Sequence, residues 1–110
     1  MRILRCEVSE TTYNADNSEV SKTNYHRIIR FDDENKKIYI QKEQVLNIKD
    51  LGNNTFQFYT QTMTDDSVIT SEIQVNRDAL EYLSKSEIVY DNAAFGVYSA
   101  KAKGECKVLN

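Results

Sequence analysis

The chain has 110 residues, 14 Lys+Arg against 17 Asp+Glu, and a formal net charge of −3. One domain's worth of chain with that acidic balance excludes tight sequence-independent nucleic-acid binding, which needs a basic stripe to displace counter-ions. No stretch reaches the ~20 consecutive apolar residues of a membrane-crossing helix. The composition holds 7 Tyr, 4 Phe and no Pro. Aromatic and β-branched side chains favour a pleated, half-buried surface, and turns without proline fall to Asn, Asp, Gly and Ser.

In chain order, residues 2–8 alternate, with Leu4, Cys6 and Val8 on one face, the two-residue period of a half-buried strand. Residues 9–24 are polar and read as a long loop or a poorly paired edge strand, the kind of segment that marks a binding surface. Residues 25–31 and 37–41 form a hairpin around the acidic turn Asp32-Asp33-Glu34-Asn35-Lys36. The apolar residues Val45, Leu46, Ile48 and Leu51 fit either a short strand or one helical turn. After the turn Gly52-Asn53-Asn54, residues 55–62 set Phe56, Phe58, Thr60 and Thr62 opposite Gln57, Tyr59 and Gln61. Residues 68–75 alternate in the same way.

Residues 76–86 support two readings: a short helix near 77–85 capped by Asn76, or a hairpin returning through Leu80 and Tyr82. The hairpin is favoured, because both neighbours are strands and a helix there would cover little. Residues 87–90, 95–102 and 105–109 complete the pattern. The expected fold is all-β: one domain over residues 1–110, a single antiparallel meander of about eight strands forming a small barrel or sandwich.

Cys6 falls on the first strand and Cys106 on the last. In an up-and-down sheet that closes on itself these strands are neighbours, near enough for a disulfide between Cys6 and Cys106. The alternative is a pair of unrelated buried thiols. A disulfide implies an oxidising compartment, hence a periplasmic or extracellular protein after signal-peptide removal. If Met1 is a native start, the alternative is a cytoplasmic one.

The N-terminal Cys on its strand, the stretch Ile73 to Asp78 (Ile-Gln-Val-Asn-Arg-Asp) and the terminal Gly104 to Val108 (Gly-Glu-Cys-Lys-Val) loosely resemble small uncharacterised bacterial exported domains. The resemblance covers the two ends and one hairpin. It implies an all-β fold, export and a terminal disulfide, and it implies no activity.

Little in the chain points to catalysis, and no enzymatic activity, cofactor or metal site is expected. His26 is the only His, and its neighbours Tyr25 and Arg27 supply neither nucleophile nor orienting acid. Asp32, Asp33, Glu34 and Asn35, like Asp65 and Asp66, read as solvated hairpin tips rather than calcium loops, since the 12-residue spacing and central Gly are missing. Pairing of the two acidic turns across space, as in a glycosidase, is not testable from spacing. Asn53-Asn54-Thr55 fits the glycosylation acceptor pattern, and a turn before a strand accounts for it equally. The tyrosines exceed what one small core needs. Tyr39 and Tyr59 fall opposite the core-facing residues and, with Tyr13 in the polar stretch, form the candidate partner surface.

These residues lead to a non-catalytic binding or accessory protein acting through protein–protein contacts, with another protein as partner and no nucleic acid or membrane span. A phage or mobile-element inhibitor of a host protein has the same physics. The alternative is a carrier of a small apolar ligand in a β-barrel mouth lined by Phe56, Phe58, Phe95 and Tyr98.

Overall fold

The computed structural model describes residues Met1–Asn110. It is all-β: β1 (Arg2–Tyr13), β2 (Glu19–Asp32), β3 (Lys37–Ile40), β4 (Glu43–Gln44), β5 (Lys49–Gly52), β6 (Thr55–Met63), β7 (Ser67–Asn76), β8 (Glu81–Tyr90) and β9 (Val97–Val108), with one 3-10 turn at Ala93–Phe95. The nine strands form one antiparallel sheet in the order β4-β3-β2-β1-β9-β8-β7-β6-β5. The 14-residue β2, rising about 3.3 Å per residue, accounts for the 46 Å long axis of a molecule only 23 × 22 Å across. No helix is long and apolar enough to cross a membrane.

The first and last strands do lie side by side, but in the middle of the sheet. Cys6 is directly opposite Cys106. The Cys106 N–H is turned to β8, where it donates to the Leu80 carbonyl. The cysteines therefore occupy a narrow, non-hydrogen-bonded pair, whose side chains approach most closely. Their Cα atoms are 3.9 Å apart and the two form a disulfide.

The sheet is not closed into a barrel. No ladder joins β4 to β5, so the meander is sewn together at β1–β9 and open between its two edges. Curling brings those edges together at one end only. There Arg77, leaving β7, reaches Asp33 in the β2–β3 turn, and Asn54 Nδ2 donates to Asp78. The core fills this end: Leu4, Cys6, Val8, Ile29, Phe31, Ile38, Phe58, Ile73, Val75 and Tyr82 are buried in one cluster.

Three local readings are decided by the structure. The stretch 9–24 is not a loop: β1 continues to Tyr13, a tight turn occupies 14–18, and β2 starts at Glu19. Asn14 Oδ1 accepts from the Asp16 and Ser18 amides, and Asn17 adopts φ 63°. Both strands are polar here because their inward face lines open space rather than core. The favoured hairpin through 76–86 forms, and the alternative helix near 77–85 does not. Asn76 Oδ1 accepts from the Asp78 and Ala79 amides, as a helix cap would, but Leu80 turns left-handed at φ 57° and the chain returns as β8. The segment after β3 is neither one strand nor a helical turn: it divides into β4, a link at 45–48 and β5.

Candidate binding cleft

The strand period places two kinds of residue on the concave face. Toward the packed end they are large and apolar. Toward the other end the inward positions carry Thr60 and Thr62 on β6, Ser71 on β7, Ser84 and Ser86 on β8, and Ala100 on β9, in one set of cross-strand rows. Short hydroxyl side chains cannot fill the space inside a curled sheet. A cleft of about 1270 Å³ remains, lined by these residues (Ala100 excepted) and by Glu10, Tyr25, Arg27 and Tyr82.

Two strand edges flank the cleft, forming an open seam. β3 pairs with β2 only from Ile29 onward, leaving Glu19–Ile28 without a neighbour on that side. β5 pairs with β6 only as far as Gln57, leaving Phe58–Met63 likewise free. At the foot of the seam, Gln41 caps the β2 edge: its amide donates to the Ile28 carbonyl and its side-chain oxygen accepts from the Ile28 amide. Alternate residues of a strand point their backbone groups the same way. The amides and carbonyls of His26, Asn24 and Lys22 therefore also face the seam.

On the cleft wall, Arg27 lies opposite Cys6, and Tyr25 opposite Val8. The Arg27 guanidinium sits over the Tyr25 ring at 4.6 Å, a cation–π contact. Its Nε is buried and has no hydrogen-bond partner. Tyr82 is 1% exposed beside it. Burial raises the Tyr82 hydroxyl's pKa against the opposing pull of Arg27 and Ser84. Burial also raises that of Tyr25, helped by Tyr82 and by Glu10. Both phenols are thus neutral donors at physiological pH.

The residues singled out from the sequence are scattered. Tyr13, Tyr39 and Tyr59 lie on β1, β3 and β6, and no aromatic pair links them. Tyr39 is covered by the Arg30 guanidinium, while Tyr59 is 50% exposed at the cleft rim. His26 is exposed on the convex face opposite Glu7. Asp32 caps its own turn through Asn35, whose hydrogen bonds lower its pKa, and Asp33 is lowered first by its hydrogen bond to Arg77. Asp65 and Asp66 sit at the far end of β6 from that ion pair, a nine-residue strand away. The two acidic turns form no carboxylate pair. Phe56 and Phe58 belong to the packed end, Phe95 and Tyr98 flank Tyr90 elsewhere, and none of these four lines the cleft.

Arg27 and the inward serines were missed. The available signal was the alternation itself, which puts Arg27 on the same face as Ile29 and Phe31 and so places a cation at an inward position. No protein-family model, curated protein or solved structure matches this chain.

Proposed function

We propose that this is a non-catalytic binding protein that acts through protein–protein contacts, holding an extended segment of its partner in the seam between β2 and β6. The observation that carries this reading is the pair of unpaired strand edges facing one cleft. An added strand would satisfy the exposed amides and carbonyls of Lys22, Asn24 and His26, which is how extended peptides are bound by sheet edges. The unpaired backbone groups along the seam favour a peptide, which can satisfy them, over a small apolar ligand, which cannot. The disulfide supports an oxidising compartment, periplasmic or extracellular.

The test uses His26→Pro. Proline there removes a seam-facing N–H without breaking the β1–β2 ladder, a substitution that edge strands tolerate. The partner captured by the wild-type chain should slow hydrogen exchange at Lys22, Asn24 and His26. It should also be lost with His26→Pro while the variant melts as the wild type does. Retention of the partner by His26→Pro, or protection confined to another edge or face, would refute the seam as the binding site.

A further inference from the structure

The seam cleft holds a guanidinium that no carboxylate balances. The ion pairs of the molecule are Arg5–Glu7, Lys22–Glu19 and Arg77–Asp33. Arg27 is in none of them, although it is only partly exposed and its Nε is buried without an acceptor. A half-buried cation without a counter-ion is costly, and a buried donor without a partner calls for an explanation in a missing water, ion or ligand. Arg77 also has an unpartnered buried Nε, but its terminal nitrogens are fully engaged by Asp33. At Arg27 no carboxylate plays that part, and its side-chain partner is the neutral Tyr82 hydroxyl.

The surroundings suit an anion of one particular size. The Tyr25 ring lies under the guanidinium, its centroid 4.6 Å from the Arg27 Cζ. The Ser84, Ser71 and Ser86 hydroxyls line the same cleft, as does the neutral Tyr82 phenol. Ser71 and Ser86 share a hydrogen bond, which uses one of their two hydroxyl hydrogens and leaves the other free to donate to an anion. Glu10 lines the wall as well, its charge directed at Tyr25. With Glu10 on the same wall, unpaired with Arg27, a singly charged anion meets less repulsion there than a doubly charged one. The second charge of a phosphate would meet Glu10 with only Lys42 at the cleft rim to offset it.

We propose that Arg27 anchors a carboxylate-binding site in the seam. The carboxylate accepts hydrogen bonds from the terminal guanidinium nitrogens in the forked geometry that arginine favours. It comes from an acidic side chain of the bound segment or from a free organic acid. The inference rests on the seam reading only for the first of these sources.

The experiment follows the Arg27 Nε–H signal of the intact, oxidised protein by NMR. The probes are propionate, an acetylated and amidated heptapeptide Thr-Val-Thr-Glu-Thr-Val-Thr, and its counterpart with Gln at the centre. The Glu peptide should move the Arg27 signal and bind about tenfold tighter than the Gln peptide, the difference that a charge-assisted hydrogen bond supplies. Arg27→Gln should abolish that preference, and Arg27→Lys should restore part of it. Saturation by propionate at the affinity of the Glu peptide would keep the carboxylate site and remove the partner strand as its source. Equal binding of both peptides to wild type and to Arg27→Gln would overturn the carboxylate site while leaving the seam intact. No movement of the Arg27 signal with any probe would also overturn it.

Discussion

The Arg77 guanidinium meets the Asp33 carboxylate in a two-pronged ion pair, Nη1 to Oδ1 at 2.8 Å and Nη2 to Oδ2 at 2.9 Å, between residues 44 apart in sequence. The pair clips together two parts of the sheet that no strand ladder joins. The guanidinium also lies over the Phe31 and Phe56 rings, at 4.7 and 5.7 Å, so it acts as part of the core's lid as well as a charge.

Replacing either partner should therefore have unequal effects. Asp33→Asn removes a largely exposed carboxylate and should cost about 1 kcal/mol, the upper end for an exposed pair. Arg77→Ala also removes packing from two aromatic rings and should cost about 2–3 kcal/mol. The pair lowers the Asp33 pKa in the folded state. Its stabilisation is fully present above the unfolded carboxylate value of about 3.9 and is lost as pH falls through the lower folded value. Urea titrations of wild type and Asp33→Asn should differ at pH 7 and converge near pH 2. A gap that persists at low pH would show that the ion pair is not its source.

The disulfide closes a separation of 100 residues. In the chain-entropy model, removing that constraint on the unfolded chain costs about 4–5 kcal/mol. Cys6→Ala with Cys106→Ala should lower the unfolding free energy from denaturant titration by that amount, and a reducing agent should lower that of the wild type equally while leaving the double variant unchanged.

Gly104 lies between Val8 on β1 and Tyr82 on β8. A Cβ there would come within 2.6 Å of the Glu7 carbonyl oxygen and 3.0 Å of Val8 Cγ2. Gly104→Ala should destabilise by about 1–3 kcal/mol, as overpacking of a tight site does. Because the closest contact is backbone, adding Val8→Ala should not restore stability. Recovery in that double variant would place the clash on the valine instead.

Glu81, Glu105 and Glu7 stand directly opposite one another across β8, β9 and β1 on the convex face, all exposed. Like charges in register weaken a sheet. Glu105→Lys should therefore stabilise by about 0.2–1 kcal/mol. The gain should shrink in 1 M salt, where screening is nearly complete. An equal gain at high salt would point to strand propensity rather than charge.

Lys36 adopts φ 54° in the exposed β2–β3 turn. Glycine reaches that conformation without steric cost, so Lys36→Gly should raise stability by about 0.5–1 kcal/mol despite the added freedom of the unfolded chain. Lys36→Val, which is β-branched, should lower it. Thermal melts of the pair give the comparison.

Most of the strand content was legible because each buried strand carries its own two-residue rhythm. Leu4, Cys6 and Val8 announce β1 without reference to any other segment, and the burial of all three follows from that spacing. The stretch 9–24 was harder to read because its inward positions face the cleft. Without an apolar face, a strand carries no alternation to detect, and Thr11, Thr12 and Thr23 looked like loop. Asn76 left two readings open for another reason: its side chain makes the same local bonds at a helix start and at this turn, and only the pairing of β8 with β7 and β9 distinguishes the two.

Taken alone, the sequence determined the all-β class and the antiparallel meander, since alternation and turn residues are local properties of the chain, and it offered the Cys6–Cys106 pairing as one of two readings that the β1–β9 ladder then decided. Only the tertiary structure decided where the sheet stays open and that Arg27 faces the resulting cleft without a counter-ion. Those features depend on how far a sheet with small hydroxyl side chains on half of its inner face can curl, and on which distant turns, through Arg77 and Asp33, hold the other half together.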